Sequence, residues 1–209
     1  LRKKVYNIQE LWVQIVEESD SKAFESLFYA LNPRLIKFCL FYVHKKEVAE
    51  EIVSDTFVKS WMQRGELSHV KNAETYLFIA VKNQALNYIK RFSSIHMVAI
   101  DESTVQLVDA YRPDREMEKR ELIFRLDQAI ESLPQQCRII FRLVKDEGMK
   151  YKEVAEILGI SPRTVHTQLF RAMKKLNAEM TPYVKSDNNP LSIHITLSAL
   201  FVFVISCLL

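Results

Sequence analysis

Apolar residues recur along this chain at helical spacing, with polar breaks between the stretches. A short amphipathic opening runs from Ile8 to Val16 and ends in the polar cluster Glu17 to Ser21, where Asp20 or Ser21 can cap a second helix. That helix, from Lys22 onward, carries Phe24, Leu27, Phe28 and Leu31, and past Pro33 the stripe continues through Leu35, Phe38, Cys39 and Tyr42 toward His44. From Glu47 to Trp61, Ala49, Ile52, Val53, Phe57 and Trp61 share one side, with Glu50, Glu51 and Asp55 off it. A polar loop is expected from Arg64 to Glu74, then a helix from Thr75 to about Phe92 with Leu77, Ala80, Val81 and Ile89 inward. Periodicity fails from Ser93 to about Pro113, a stretch that reads as a linker. It returns at Arg115 with the stripe Leu122, Leu126, Ile130 and Leu133, ending at Pro134, and Gln135 to Lys145 leads to a turn at Gly148.

The most specific stretch is Tyr151 to Leu176, YKEVAEILGISPRTVHTQLFRAMKKL, which reads as a helix-turn-helix. Val154, Ala155 and Leu158 form an apolar face, Gly159 supplies the turn, and Ser161 before Pro162 is an N-cap followed by proline at the first helical position. At about 100° per residue, Val165, Leu169, Ala172 and Leu176 fall in one sector of the second helix. Arg163, Thr164, Thr167, Gln168, Arg171, Lys174 and Lys175 share an arc of roughly 140° that contains no acid. Arg and Gln pair bidentately with guanine and adenine edges, Thr meets a thymine methyl, and lysines suit phosphates. A solvated basic face is the plain alternative.

Composition narrows the class. With 209 residues and only 3 glycines, the chain suits an all-α protein of one large or two small bodies. The net charge of +3 is too mild to announce nucleic acid, so distribution carries that argument. Between Tyr76 and Ile100 the only charged side chains are Lys82, Lys90 and Arg91, a second basic region without acids. Cys39, Cys137 and Cys207 are widely spaced, with no metal or disulfide pattern, which fits a reducing cytoplasm. His44, His69, His96, His166 and His194 are dispersed, and no nucleophile, phosphate-binding glycine loop or ligand cluster accompanies them. No enzyme and no cofactor are expected. No signal peptide is expected ahead of the first helix, and the chain begins at Leu1.

Four blocks in order, DSKAFESLF, VAEEIVSDTFVKSW, YLFIAVKNQALNYIKR and ESLPQQCRIIFRL before the helix-turn-helix, resemble a bacterial sigma factor of the extracytoplasmic-function group within the sigma-70 family. The resemblance covers roughly Asp20 to Met180 and looks closest to the iron-citrate-type branch and its expansions in Bacteroides-like bacteria. It implies two small helical domains joined by a flexible linker: residues 1–92 as sigma region two, 93–113 as linker, and 114–180 as region four. Residues 181–209 then form a polar spacer and an apolar tail.

The resemblance also assigns roles. Glu50, Glu51, Ser54 and Asp55 match the surface for the basic clamp helices of core RNA polymerase, although an acidic helix face is also an ordinary solvated one. Asn83 and Asn87 match the pocket for a base of the minus-ten element flipped from the stack, beside the loop Arg64 to Ser68. Lys82, Lys90 and Arg91 would hold the backbone of promoter DNA. Trp61, Tyr76 and Tyr88 offer stacking surfaces, though aromatics at this spacing are more often core. Arg163, Thr164, His166, Thr167 and Arg171 match positions facing the minus-thirty-five element, His166 lying at the edge of the polar arc beside Phe170. Lys150 and Lys152 read equally as phosphate contacts or surface lysines. The alternative is a helix-turn-helix regulator binding duplex DNA without polymerase; a helical adaptor would leave the acid-free face unexplained. An anti-sigma factor is a further partner common among relatives. The tail LSIHITLSALFVFVISCLL approaches the roughly 20 residues that cross a bilayer. It reads either as a membrane contact or as an apolar segment packed on protein.

Overall fold

The computed structural model describes residues 7–93 and 115–184. Among them lie eight α-helices and one short 3₁₀ helix: α1 (Ile8–Glu18), α2 (Ser21–Val43), α3 (Lys46–Met62), the 3₁₀ turn Arg64–His69, α4 (Ala73–Ser93), α5 (Arg115–Glu131), α6 (Gln135–Lys145), α7 (Tyr151–Leu158) and α8 (Pro162–Val184). α4 runs through Ser93 and α8 through Val184, so helix extends into the first positions of the expected linker and spacer; the rest of both, 94–114 and 185–209, lies outside the described residues. By packing, the chain divides into one unit of Leu1–Asp101 with Leu143–Val165, and another of Glu102–Arg142 with His166–Leu209.

In the first unit α2 is the central helix, against which α1, α3 and α4 all pack. Leu27, Leu31, Leu35, Phe38 and Cys39, spaced by three and four residues with one adjacent pair, are buried along it, as a core-facing stripe requires. Each such apolar side chain contributes roughly 1.5–3 kcal/mol by leaving water. α2 runs through Pro33, which lies on its exposed side. Asp20 caps the helix by accepting from the Lys22 N–H at 2.7 Å, and His44 ends it in the left-handed region at φ 56°. Phe57 of α3 sets its ring edge-on to Phe28 at 4.9 Å, and Phe78 of α4 meets Phe38 at 5.0 Å.

The segment expected as a polar loop is more ordered than its composition implies. Leu67 is buried, and α1 packs on the 3₁₀ turn. Arg64 fixes the entry: its guanidinium lies 4.4 Å from the Trp61 ring centroid and donates to the Trp61 carbonyl at 2.7 Å and to Ser19 Oγ at 2.9 Å. α4 starts at Ala73, two residues ahead of expectation, because Asn72 is its cap and accepts from the Thr75 N–H at 2.9 Å.

α7 packs on α4 within this unit. Glu153 accepts from the Lys150 N–H at 2.7 Å and anchors its first turn. Gly159 ends α7 at φ +69°, a conformation that strains any residue bearing a Cβ. Ser161 then caps α8, its Oγ accepting from the Thr164 N–H at 3.0 Å.

In the second unit Leu126, Ile130, Leu133, Ile140 and Phe141 are buried, as are Leu169, Ala172, Leu176 and Met180 of α8. Lys175 Nζ donates to the Ser132 carbonyl at 2.7 Å, tying α8 to the end of α5. No helix among the described residues is long and apolar enough to cross a membrane.

Candidate nucleic-acid interface

Three exposed faces carry the expected site residues. On α8, burial of the apolar stripe turns Arg163, His166, Thr167, Arg171, Lys174 and Lys175 outward. Thr164 and Gln168 are half-buried and already bonded: the Thr164 and Ser161 hydroxyls lie 2.8 Å apart, and Cys137 Sγ donates to Gln168 Oε1 at 3.1 Å. Arg163, Thr167, Arg171 and Lys174 follow one another at intervals of three or four residues, so they lie along one edge of the helix. Lys175 departs from that edge, its ammonium held by the Ser132 carbonyl and 3.7 Å from Glu179.

A cleft of about 350 Å³ separates α8 from the start of α6, lined by Pro134, Gln136 and Cys137 on one side and Gln168, Arg171 and Lys175 on the other. Gln136 is exposed at the first turn of α6, whose N-terminal end carries partial positive charge. Helical periodicity does not single it out, since it belongs to no stripe. Phe170, one turn on from His166, is 65 % exposed and lies off the buried stripe of α8.

On α4, Asn83 and Asn87 are exposed one turn apart, with Leu86 between them and Lys90 and Arg91 in the last turn. Lys82 does not join this strip. Its Nζ donates to the Ile157 carbonyl at 2.6 Å, and burial pushes its pKa below the ordinary lysine range. The aromatic candidates are each half-buried against another ring: Trp61 on Phe24 at 4.9 Å, Tyr76 on Trp12 at 5.5 Å, and Tyr88 on Phe92 at 4.4 Å. Phe92 is exposed at the end of the strip.

On α3, Glu50, Glu51, Ser54 and Asp55 are all exposed, and the face continues through Val58 and Met62, 55 % and 74 % exposed. Acid and apolar surface in one strip suit a basic amphipathic partner. Periodicity does not mark the apolar half, because neither residue lies on the core stripe. Among the described residues no three His, Cys, Asp or Glu side chains gather to hold a metal ion.

Known proteins resemble this chain in sequence and fold. The model of sigma-70 region 2 matches residues 27–94, and that of sigma-70 region 4 matches residues 123–176, together more than half of the chain. The chain is 27% identical over 187 residues to the ECF RNA polymerase sigma-E factor of Escherichia coli, covering 84% of this chain and 96% of that one. It is 24% identical over 181 residues to the RNA polymerase sigma-H factor of Pseudomonas aeruginosa, covering 83% and 94%. Two solved structures share the fold. One is the sigma factor RpoE of Bartonella quintana in complex with the anti-sigma factor NepR, with a TM-score of 0.58, 21% identity and coverage of 77% of this chain and 98% of that one. The other is CnrH in complex with the cytosolic domain of CnrY, with a TM-score of 0.55, 19% identity and coverage of 84% and 99%.

Proposed function

The chain belongs to the sigma-70 family as an alternative sigma factor of the extracytoplasmic-function group, and on that premise we propose how its three exposed faces divide the work of promoter recognition. It directs transcription initiation and is not itself an enzyme. Matches across both halves of the chain leave the stand-alone regulator without support, since the region 2 match lies outside the helix-turn-helix.

In this reading Glu50, Glu51, Ser54 and Asp55, extended by Val58 and Met62, dock core RNA polymerase. The strip of Asn83 and Asn87 takes an extruded base of the minus-ten element, its amides offsetting the few kcal/mol that unstacking costs. Lys90 and Arg91 hold the adjoining phosphates, and Lys82 would join them only on leaving the Ile157 carbonyl. Arg163, Thr167, Arg171 and Lys174 enter the upstream major groove, with Thr164, His166, Gln168 and Lys175 at its margins. Residues 1–92 and 114–180 would be the two functional regions and 93–113 the connector. The observation that carries this division is that exposed amides on α4 and exposed cations on α8 occur in one chain.

The four sequence blocks support a place near the iron-citrate-type branch. The complexes of RpoE with NepR and of CnrH with CnrY support an anti-sigma factor as a partner here too. The activity assigns the chain to the cytoplasm, where polymerase works. Residues 191–209 enter only as an apolar segment to be covered, by bilayer or by protein, and their deletion followed by fractionation distinguishes the two.

Docking is tested by co-elution with sigma-free core polymerase. The chain should co-elute, and Glu51→Lys with Asp55→Lys should abolish this while leaving helix content unchanged. Undiminished co-elution of that variant would remove α3 from the interface.

A further inference from the structure

The segment from Arg64 to Ala73 connects α3 to α4, and within it only Leu67 and Ala73 are buried. Its 3₁₀ turn has poorer hydrogen-bond geometry than an α-helix, so its place depends on how its ends are held. Both ends are tied to α1. Arg64 donates to Ser19 Oγ at 2.9 Å, and Ala73, the first residue of α4, donates its N–H to Gln9 Oε1 at 3.2 Å. Gln9 and Ser19 stand about 15 Å apart along the helix direction, so the segment runs antiparallel to α1. Arg64 makes its tie through three groups at once. Its guanidinium lies 4.4 Å from the Trp61 ring centroid, and it donates to the Trp61 carbonyl at 2.7 Å as well as to Ser19. That carbonyl is at the C-terminal end of α3, the negative end of the dipole, where a cation is favoured. Ser19 is the C-cap of α1, held in the left-handed region at φ 54°. A planar guanidinium with a fork of donors can stack and donate in two directions, whereas an ammonium on a flexible stem cannot lie flat on a ring.

We propose that Arg64 is a positioning residue for promoter opening: with Gln9 at the far end, it braces the segment 64–73 on α1 and so sets the loop that holds the extruded minus-ten base before DNA arrives. The role rests on the reading of that loop, with Asn83 and Asn87, as the base pocket, whereas the brace stands on the contacts themselves. Arg64 is spent on Trp61 and Ser19, so it acts through the loop and not by touching DNA. A loop left untied would have to be ordered at the moment the base is captured, and that lost conformational freedom would be taken from binding.

The test uses holoenzyme, core polymerase with the full chain, on promoter fragments premelted over the downstream element. The non-template strand is intact or carries an abasic site at each position in turn. Wild-type holoenzyme should bind the intact fragment about tenfold tighter than the one lacking the captured base, and Arg64→Ala should lose most of that preference while binding the abasic fragment as before. Arg64→Lys should fail in the same way, because charge alone does not rebuild the tie. Neither variant should alter the salt dependence, whereas loss of a phosphate contact would lower its slope by about 1. Gln9→Ala, on another helix, should lose part of the preference, and it carries the comparison should Arg64→Ala lose helix content. Full preference in Arg64→Ala, or rescue by Arg64→Lys, would overturn the positioning role. The chain's two tryptophans, Trp12 against Tyr76 and Trp61 under Arg64, both lie at the brace. Arg64→Ala should therefore shift tryptophan emission to the red in the free chain, and unchanged emission would overturn the brace. A wild-type holoenzyme indifferent to every abasic site would overturn the base-pocket reading on which the role rests, so that failure is distinct from a failure of the brace.

Discussion

Gln84 on α4 donates from Nε2 to the Thr56 hydroxyl on α3 at 2.6 Å, and that hydroxyl donates in turn to the Ile52 carbonyl at 2.8 Å. Thr56 is buried, and Lys59 Nζ completes the link by donating to Gln84 Oε1 at 3.0 Å. This polar bridge joins the acidic face to the amide strip. Thr56→Val keeps the shape but leaves the Gln84 donor without its partner. It should destabilise the N-terminal unit by about 1–3 kcal/mol in urea denaturation, with Thr56→Ser restoring most of the loss.

The two DNA-facing helices should fail differently. Arg171→Ala removes a side chain suited to guanine and should weaken dependence on the upstream element by about 1–3 kcal/mol. Asn83→Ala should leave upstream binding intact and impair opening at the downstream element, read as lost permanganate reactivity of unpaired thymines. Equal effects of both variants on simple duplex binding would contradict the division.

Alkaline pH should loosen the first unit. Burial pushes the Cys39 thiol from 9.0 up to about 12, and burial together with the Cys39 charge pushes Tyr42 from 10.0 up to about 12. Between those values the folded chain holds protons that the unfolded chain has released, so stability is full below about pH 9 and falls as pH rises toward 12. Melting temperature followed across that range should decline, and Cys39→Ala should flatten the early part of the decline.

Gly159 has no atom within 4 Å of an added Cβ, so a substitution there acts through backbone strain alone. Gly159→Ala should cost about 1 kcal/mol, and the β-branched Gly159→Val more, measured by thermal melting.

Legibility in the sequence followed periodicity. The stripe Val165, Leu169, Ala172 and Leu176 is buried as its spacing implies, and Ser161 caps α8 where the Ser-Pro pair pointed. Leu67, Val70 and Ala73 stand three apart in an otherwise polar run, too few to mark an element by pattern, although Leu67 is buried in the 3₁₀ turn. The start of α4 is not legible because Asn72 reads as a loop residue, whereas its side chain accepts from the Thr75 N–H and caps the helix. Lys82 looked equivalent to Lys90 and Arg91; its engagement with Ile157 joins residues 75 apart, beyond any local pattern. Val58 and Met62 are not legible by periodicity, since they lie off the core stripe and acquire meaning only beside Glu51 and Asp55.

The most direct measurement is transcription by sigma-free bacterial core polymerase supplied with this chain, on genomic fragments as template. The account predicts discrete transcripts that appear only when the chain is added, with shared upstream and downstream elements before their starts. A chain that fails to bind core polymerase, yet binds duplex DNA alone, would contradict it.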